Sequence, residues 1–202
     1  MHRYLFIALI SFIILTLGCK KTETVKEVVL PTNFQPVSAG SAWTYAEYPL
    51  TNLYSTYANG VDSVFNKKVY YEMFTTNAGF SWVRKENGNY YRLLPNLDTV
   101  IEFNYLKDNV PIGTKWEKTY EINGFPTTYK YLLWEYDEPR LIDGEVYEHC
   151  ITIREETHVD FGSVSDSLMS SWDYTYANDV GLVYINRGKS GQIYLKTFNI
   201  KP

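Results

Sequence analysis

The chain has 202 residues and a formal net charge of −4, from 19 Lys and Arg against 23 Asp and Glu. It contains no block of basic residues, which argues against nucleic acid as a partner, since phosphate binding needs clustered Lys and Arg. Its two cysteines, Cys19 and Cys150, are too few for a disulfide framework.

Residues 1–18 read as an export leader. Arg3 gives a positive start, Leu5 to Leu17 is almost wholly apolar, and Gly18 is the small residue a peptidase needs. The apolar run is about 13 residues, or roughly 20 Å of helix, short of the ~20 residues that cross a bilayer. Lys20 and Lys21 follow at once. A cysteine directly after a small residue at the end of such a run, here Leu17-Gly18-Cys19, resembles the lipobox of bacterial lipoproteins. Thr16 stands where that family prefers Leu.

The resemblance implies cleavage between Gly18 and Cys19, a diacylglycerol on the Cys19 thiol and acylation of the new amine. Each buried CH₂ contributes about 0.8 kcal/mol, so two or three acyl chains hold a protein to a bilayer without help from the rest of the sequence. Lys20 replaces the Asp that retains members of this family at the inner membrane. By resemblance, the address is then the outer membrane of a Gram-negative cell, periplasmic or surface-exposed. Residues 19–33 read as the lipidated cysteine and a tether. Lys20 to Thr32 is charged, lacks aromatics, and reaches about 40 Å when extended.

From Phe34 onward the signals are those of strands and turns. In "LDTVIEFNYL", Thr99, Ile101, Phe103 and Tyr105 alternate with Asp98, Glu102 and Asn104. "FSWVRKENGNYYRLL" reads as two strands around Asn87-Gly88, a dipeptide that supplies the positive φ of a tight hairpin. Similar turn points recur along the chain at Asn59-Gly60, Asn123-Gly124, Asp143-Gly144 and Arg187-Gly188. The expectation is one all-β domain over residues 34–202. It has about ten antiparallel strands in a meander, as a curved sheet or barrel, with a two-sheet sandwich as the alternative. One short helix is expected near Ser163 to Ser171. A chain of this length buries roughly 70% of its unfolded surface, enough for one core.

Two stretches echo each other. "PVSAGSAWTY" and "VPIGTKWEKTY" share Pro, Gly-x-x-Trp and Tyr, which places Trp43 with Tyr45, and Trp116 with Tyr120, each on one strand face. The echo admits either duplicated half-domains or two strands that start alike. The stretch Phe34 to Tyr45, together with "WDYTYANDVGLV" at Trp172 to Val183, resembles the two ends of a family of uncharacterised secreted bacterial lipoproteins. Those proteins are small, all-β and mostly without an assigned activity, so the resemblance implies an address and a fold class and offers no catalytic residues.

The residues offer little chemistry. Strand alternation groups His149 with Tyr147, Ile151 and Ile153 as a core-edge histidine, and places His158 with Arg154, Glu156 and Asp160 on the other face. Glu156, His158 and Asp160 have donors suited to zinc but read better as a solvated charged face. Cys150 lacks a base on its own face. No Gly-x-Ser-x-Gly, H-E-x-x-H, P-loop or dinucleotide fingerprint occurs. Adjacent acids such as Asp137-Glu138 and Glu155-Glu156 diverge on a strand, so neither pair is a glycosidase dyad. "DFGSVSD", from Asp160 to Asp166, lacks the EF-hand pattern. The sequence therefore reads as no enzyme, with no metal and no cofactor.

What stands out is 19 Tyr, 5 Trp and 10 Phe. Tyr on a sheet packs its ring while its hydroxyl reaches water. Rings left exposed stack sugars or meet a protein, and rings lining a cavity take an apolar ligand. The candidate binding aromatics are Trp43, Tyr45, Trp116, Tyr120, Trp134 and Trp172. The expectation is a non-catalytic envelope lipoprotein that binds a ligand or protein partner through aromatic surface. The alternative is a carrier whose curved sheet encloses a lipid or other apolar molecule, and a hydrolase is a third reading. The partners expected are the bilayer, through acylated Cys19, and an apolar small molecule, a glycan or an envelope protein.

Overall fold

Period-two alternation between Gly- and Asn-containing turns produces twelve antiparallel strands in the computed structural model, which describes residues 32–96, 99–164 and 166–202. Gly18, Cys19 and the tether up to residue 31 lie outside the described residues. The strands are β1 (Ala42–Tyr48), β2 (Asn52–Phe65), β3 (Lys68–Thr75), β4 (Gly79–Glu86), β5 (Asn89–Asn96) and β6 (Thr99–Lys107). They continue with β7 (Lys115–Ile122), β8 (Phe125–Ile142), β9 (Glu145–Val159), β10 (Ser167–Ala177), β11 (Gly181–Asn186) and β12 (Gln192–Asn199). All belong to one sheet, and Thr32–Pro202 is a compact unit by itself that contains both apolar cores. The fold is thus an all-β meander curved toward a barrel, with two strands more than expected.

Each strand pairs with its neighbour in sequence except β6 with β7, and β1 also pairs with β12. The sheet order therefore runs from β6 through β1 and β12 to β7, leaving β6 and β7 as its edges. Side chains bridge these edges where no ladder does. The Trp116 indole N–H donates to the Asn104 carbonyl at 2.7 Å, and the Tyr120 hydroxyl donates to the Glu102 carbonyl. Phe103 packs against Tyr120 and Tyr129, with ring centroids 5.0 and 4.8 Å away. An edge carbonyl needs a donor, and here aromatic donors supply it.

The other Gly-x-x-Trp strand does the same within the sheet. Trp43 donates to the Val180 carbonyl at 2.6 Å, and Tyr45 to the Leu182 carbonyl at 3.1 Å. The two Trp strands, β1 and β7, each begin a run of six, and each run carries one long hairpin as its second and third strands, β2–β3 and β8–β9. This six-plus-six arrangement matches the sequence echo. Bulges break both hairpins, between Ala58 and Asp62 in β2 and at three places between Leu133 and Arg140 in β8. A bulge bends its strand, and both hairpin tips fold back on the outer face: the Tyr70 hydroxyl reaches the Glu102 carboxylate, and Lys196 holds Asp143.

Residues 32–37 close one end of the curved sheet. The Asn33 N–H donates to the Asn178 side chain at 2.7 Å, the Phe34 N–H donates to the Tyr90 hydroxyl at 3.2 Å, and the Tyr105 hydroxyl donates to Gln35 at 3.1 Å. Phe34 is buried against the Tyr90 ring.

Two local expectations need correction. Among the described residues of 163–171 no helix forms. Ser167 instead starts β10 opposite Val159, because the β9 ladder offers partners to a segment that has no helical apolar stripe. His149 does not sit at the core edge. Its φ of 52° breaks the alternation of β9, so the ring is exposed and meets the Asp137 carboxylate at 2.6 Å. Asp137 raises the His149 pKa.

Candidate functional site

A groove of 710 Å³ lies on the outer face of the described sheet. Its floor is formed by Thr152 of β9, Asp173 and Thr175 of β10, Tyr184 of β11 and Tyr194 of β12. The fold-back of the β8–β9 hairpin makes its wall. Trp134 owes its position to a bulge. Leu133 pairs with Ile153 and Glu135 with Thr152, so Trp134 has no partner of its own and projects into the groove, 48% exposed. The Arg154 guanidinium lies 4.3 Å from the centroid of the Trp134 ring and grips Asp173 by two hydrogen bonds, at 2.7 and 3.2 Å.

The remaining charges of the groove are also matched: Arg140 with Glu135, and Asp143 with Lys196. Thr152 and Thr175 hydrogen-bond each other at 3.2 Å. Burial, and behind it Asp173, raises the Tyr184 pKa, so that hydroxyl keeps its proton. Asn186, Gln192 and Tyr48 line the remaining rim. Neutral donors and acceptors alternate with rings, and no charge lacks a partner.

The six aromatics singled out from the sequence fall in four places. Trp134 lines the groove. Trp116 and Tyr120 join the β6 and β7 edges, Trp116 being stacked on Tyr131 with ring centroids 5.4 Å apart. Trp43 and Tyr45 are buried and line a second cavity on the inner face. Trp172 is half-buried, with the Arg187 guanidinium 6.0 Å from its ring. Sequence reasoning missed Arg154, Asp173, Tyr184 and Tyr194. The last two stand opposite each other across β11 and β12, and only their strand periodicity could have flagged them.

Among the described residues, no group of three His, Cys, Asp or Glu side chains is placed to hold a metal. His158 lies 3.0 Å from the Asp166 carboxylate and 3.4 Å from Glu156, while Lys130 also binds Asp166. Asp160 accepts the Gly162 N–H at 2.7 Å. The Cys150 thiol is buried against the Tyr147 carbonyl, and burial pushes its pKa up to about 11. A thiol held protonated is a poor nucleophile.

The chain is similar to a crystal structure of a candidate lipoprotein from Parabacteroides distasonis ATCC 8503. The likeness covers 83% of this chain and 99% of that one, with a TM-score of 0.54 and 14% identity. At that identity the likeness bears on the fold alone. No protein-family model and no curated protein matches the chain.

Proposed function

We propose that this protein is a cell-envelope lipoprotein, held to the outer membrane of a Gram-negative bacterium by acylated Cys19, whose β-domain binds a glycan in the outer groove without catalysis. One observation carries the ligand class: a half-exposed Trp134 stands over a groove in which every ionic group already has a counter-charge. A neutral polyhydroxyl ring meets such a surface well. Its C–H face packs on the indole, and its hydroxyls replace water at Asn186, Gln192 and the tyrosines. The volume falls within the roughly 300–1,000 Å³ of small-molecule sites.

The same pairing favours binding over chemistry. Asp173, Glu135 and Asp143 are each engaged by a cation, whereas a glycosidase needs one carboxyl free to hold a proton and a second to face the sugar. The leader and Cys19 support the address, and the similar solved protein is itself described as a candidate lipoprotein.

Two measurements test the reading. Labelling cells with an alkynyl palmitate should mark the wild type and leave Cys19→Ser dark; equal signals contradict the anchor. Titrating maltohexaose, cellohexaose and chitohexaose while following Trp fluorescence should reveal saturable binding that Trp134→Ala weakens at least tenfold. Sugar binding that survives Trp134→Ala would remove the groove from the account.

A further inference from the structure

The inner cavity is a different kind of site. It has a volume of 410 Å³, and the apolar side chains Trp43, Met73, Val83, Leu182 and Ile193 share its walls with threonines, Ser81 and several tyrosines. Its exposed rim is Asn77 and Ala78, in the β3–β4 turn, and the Glu47–Arg187 ion pair stands beside them. Arg92 of β5 also lines it.

Arg92 is the anomaly. Each of the other described arginines has a carboxylate: Arg84 has Glu86 and Glu102, Arg140 has Glu135, Arg154 has Asp173, and Arg187 has Glu47. Arg92 forms no such pair among the described residues, and its Nε–H, like that of Arg187 on the same cavity, is buried without a hydrogen-bond partner. The groups facing it are Tyr105, whose ring lies 5.5 Å from the guanidinium carbon, Tyr174, Tyr176 and Glu155 of β9. Glu155 does not come within ion-pair distance, and the Tyr174 hydroxyl engages it at 3.4 Å. Burial raises the Glu155 pKa, with Arg92 acting against that rise, which weakens Glu155 further as a counter-charge. Burial works against the charge of Arg92 too, but its pKa is raised overall, by Tyr176 first and then Glu155. The guanidinium therefore stays charged.

Arg92 is half-buried with its Nε–H fully out of water, and a partly desolvated charge without a partner costs a fold stability. Such a charge persists most readily where something else completes it. We infer that the inner cavity is a binding site for a monocarboxylate with an apolar body, its carboxylate paired with Arg92 and its hydrocarbon against Trp43, Tyr45, Met73 and Ile193. A planar guanidinium fits a planar carboxylate with two parallel hydrogen bonds. The rim of Asn77 and Ala78 offers the way in, because residues 32–37 close the end where Gln35 and Phe34 lie. This site is on the opposite face of the sheet from the groove, so failure of glycan binding leaves it standing.

The test uses the Thr32–Pro202 domain, which holds both cores within itself. Octanoate and 1-octanol serve as calorimetric probes that share a hydrocarbon chain and differ in the carboxylate. The wild type should bind one octanoate per chain. Arg92→Met should weaken octanoate at least tenfold while leaving 1-octanol unchanged. Ser81→Trp keeps Arg92 but fills the cavity that Ser81 lines, and should abolish binding of both probes; this variant decides the matter if Arg92→Met does not fold. The inference is overturned if the wild type shows no saturable octanoate binding, if Arg92→Met binds octanoate as tightly as the wild type, or if octanoate binding survives Ser81→Trp. An octyl phosphate arm separates headgroups: binding tighter than octanoate would overturn the assignment to a carboxylate.

Discussion

Strands β4 and β5 carry one arginine on each face of the sheet, Arg84 buried and Arg92 half-buried, and the two fare differently. On the outer face, Arg84 lies 3.6 Å from the centroid of the Tyr91 ring. It donates to the Tyr70 hydroxyl at 3.0 Å, to Glu102 at 2.9 Å and to Glu86 at 2.7 Å. The β2–β3 hairpin, folded back by its bulge, delivers Tyr70 to this cluster. On the inner face, Arg92 has a tyrosine ring beside it and, among the described residues, no carboxylate within ion-pair distance. The protein itself completes the first arginine and leaves the second open to a ligand. A buried charge read this way separates a structural device from a binding one, although both residues look alike in "WVRKENGNYYRLL".

The largest expected effect breaks the outer cluster. Arg84→Met strands the Glu102 carboxylate and the Tyr70 hydroxyl, at a cost of about 2 kcal/mol; Glu102 is 28% exposed, so the 3–5 kcal/mol of a fully buried pair is not reached. Arg92→Met breaks no ion pair or hydrogen bond among the described residues and, at a pH below the raised Glu155 pKa, should leave the urea midpoint unchanged or raised. If both variants lose stability equally, Arg92 is as integrated as Arg84 and the contrast fails.

A smaller effect comes from pH. Burial places the Glu155 pKa above its ordinary value, so the folded state holds this proton more tightly than the unfolded chain. The contribution is favourable below the ordinary glutamate value of about 4.3 and is lost as pH rises through the raised one. Glu155→Gln should therefore gain in melting temperature relative to the wild type as pH is taken from 4 to 7. A gap that widens toward acid instead would contradict the assignment.

The smallest effect on stability belongs to the groove. Trp134 is half-exposed, so Trp134→Ala should lower the unfolding free energy by less than about 1 kcal/mol while removing glycan binding. A loss several times larger would make Trp134 part of the fold rather than of a site.

Much of the fold was legible because alternation and turn chemistry are local. Asn87 and Gly88 take φ of 50° and 72°, as a tight hairpin requires, and Ile101, Phe103 and Tyr105 turn to the core together. The Trp-Tyr pairs of β1 and β7 share strand faces as their spacing implied, but their donation to main-chain carbonyls depends on which strand lies beside them. The sites were hidden for the same reason. Trp134 projects because of a bulge in β8 that no residue type announces, and the groove exists only once that hairpin folds back. In "NYYRLL", both faces of β5 carry a tyrosine, Tyr90 inside and Tyr91 outside. Alternation therefore gave Arg92 no preferred side.

The most direct test of the contrast is to watch the arginines themselves. In ¹⁵N-labelled Thr32–Pro202 domain titrated with octanoate, the guanidinium resonances of Arg92 should move with saturation while those of Arg84, Arg140 and Arg154 stay in place. Movement of Arg154 or Arg140 with Arg92 unmoved would put the carboxylate in the outer groove and contradict the account.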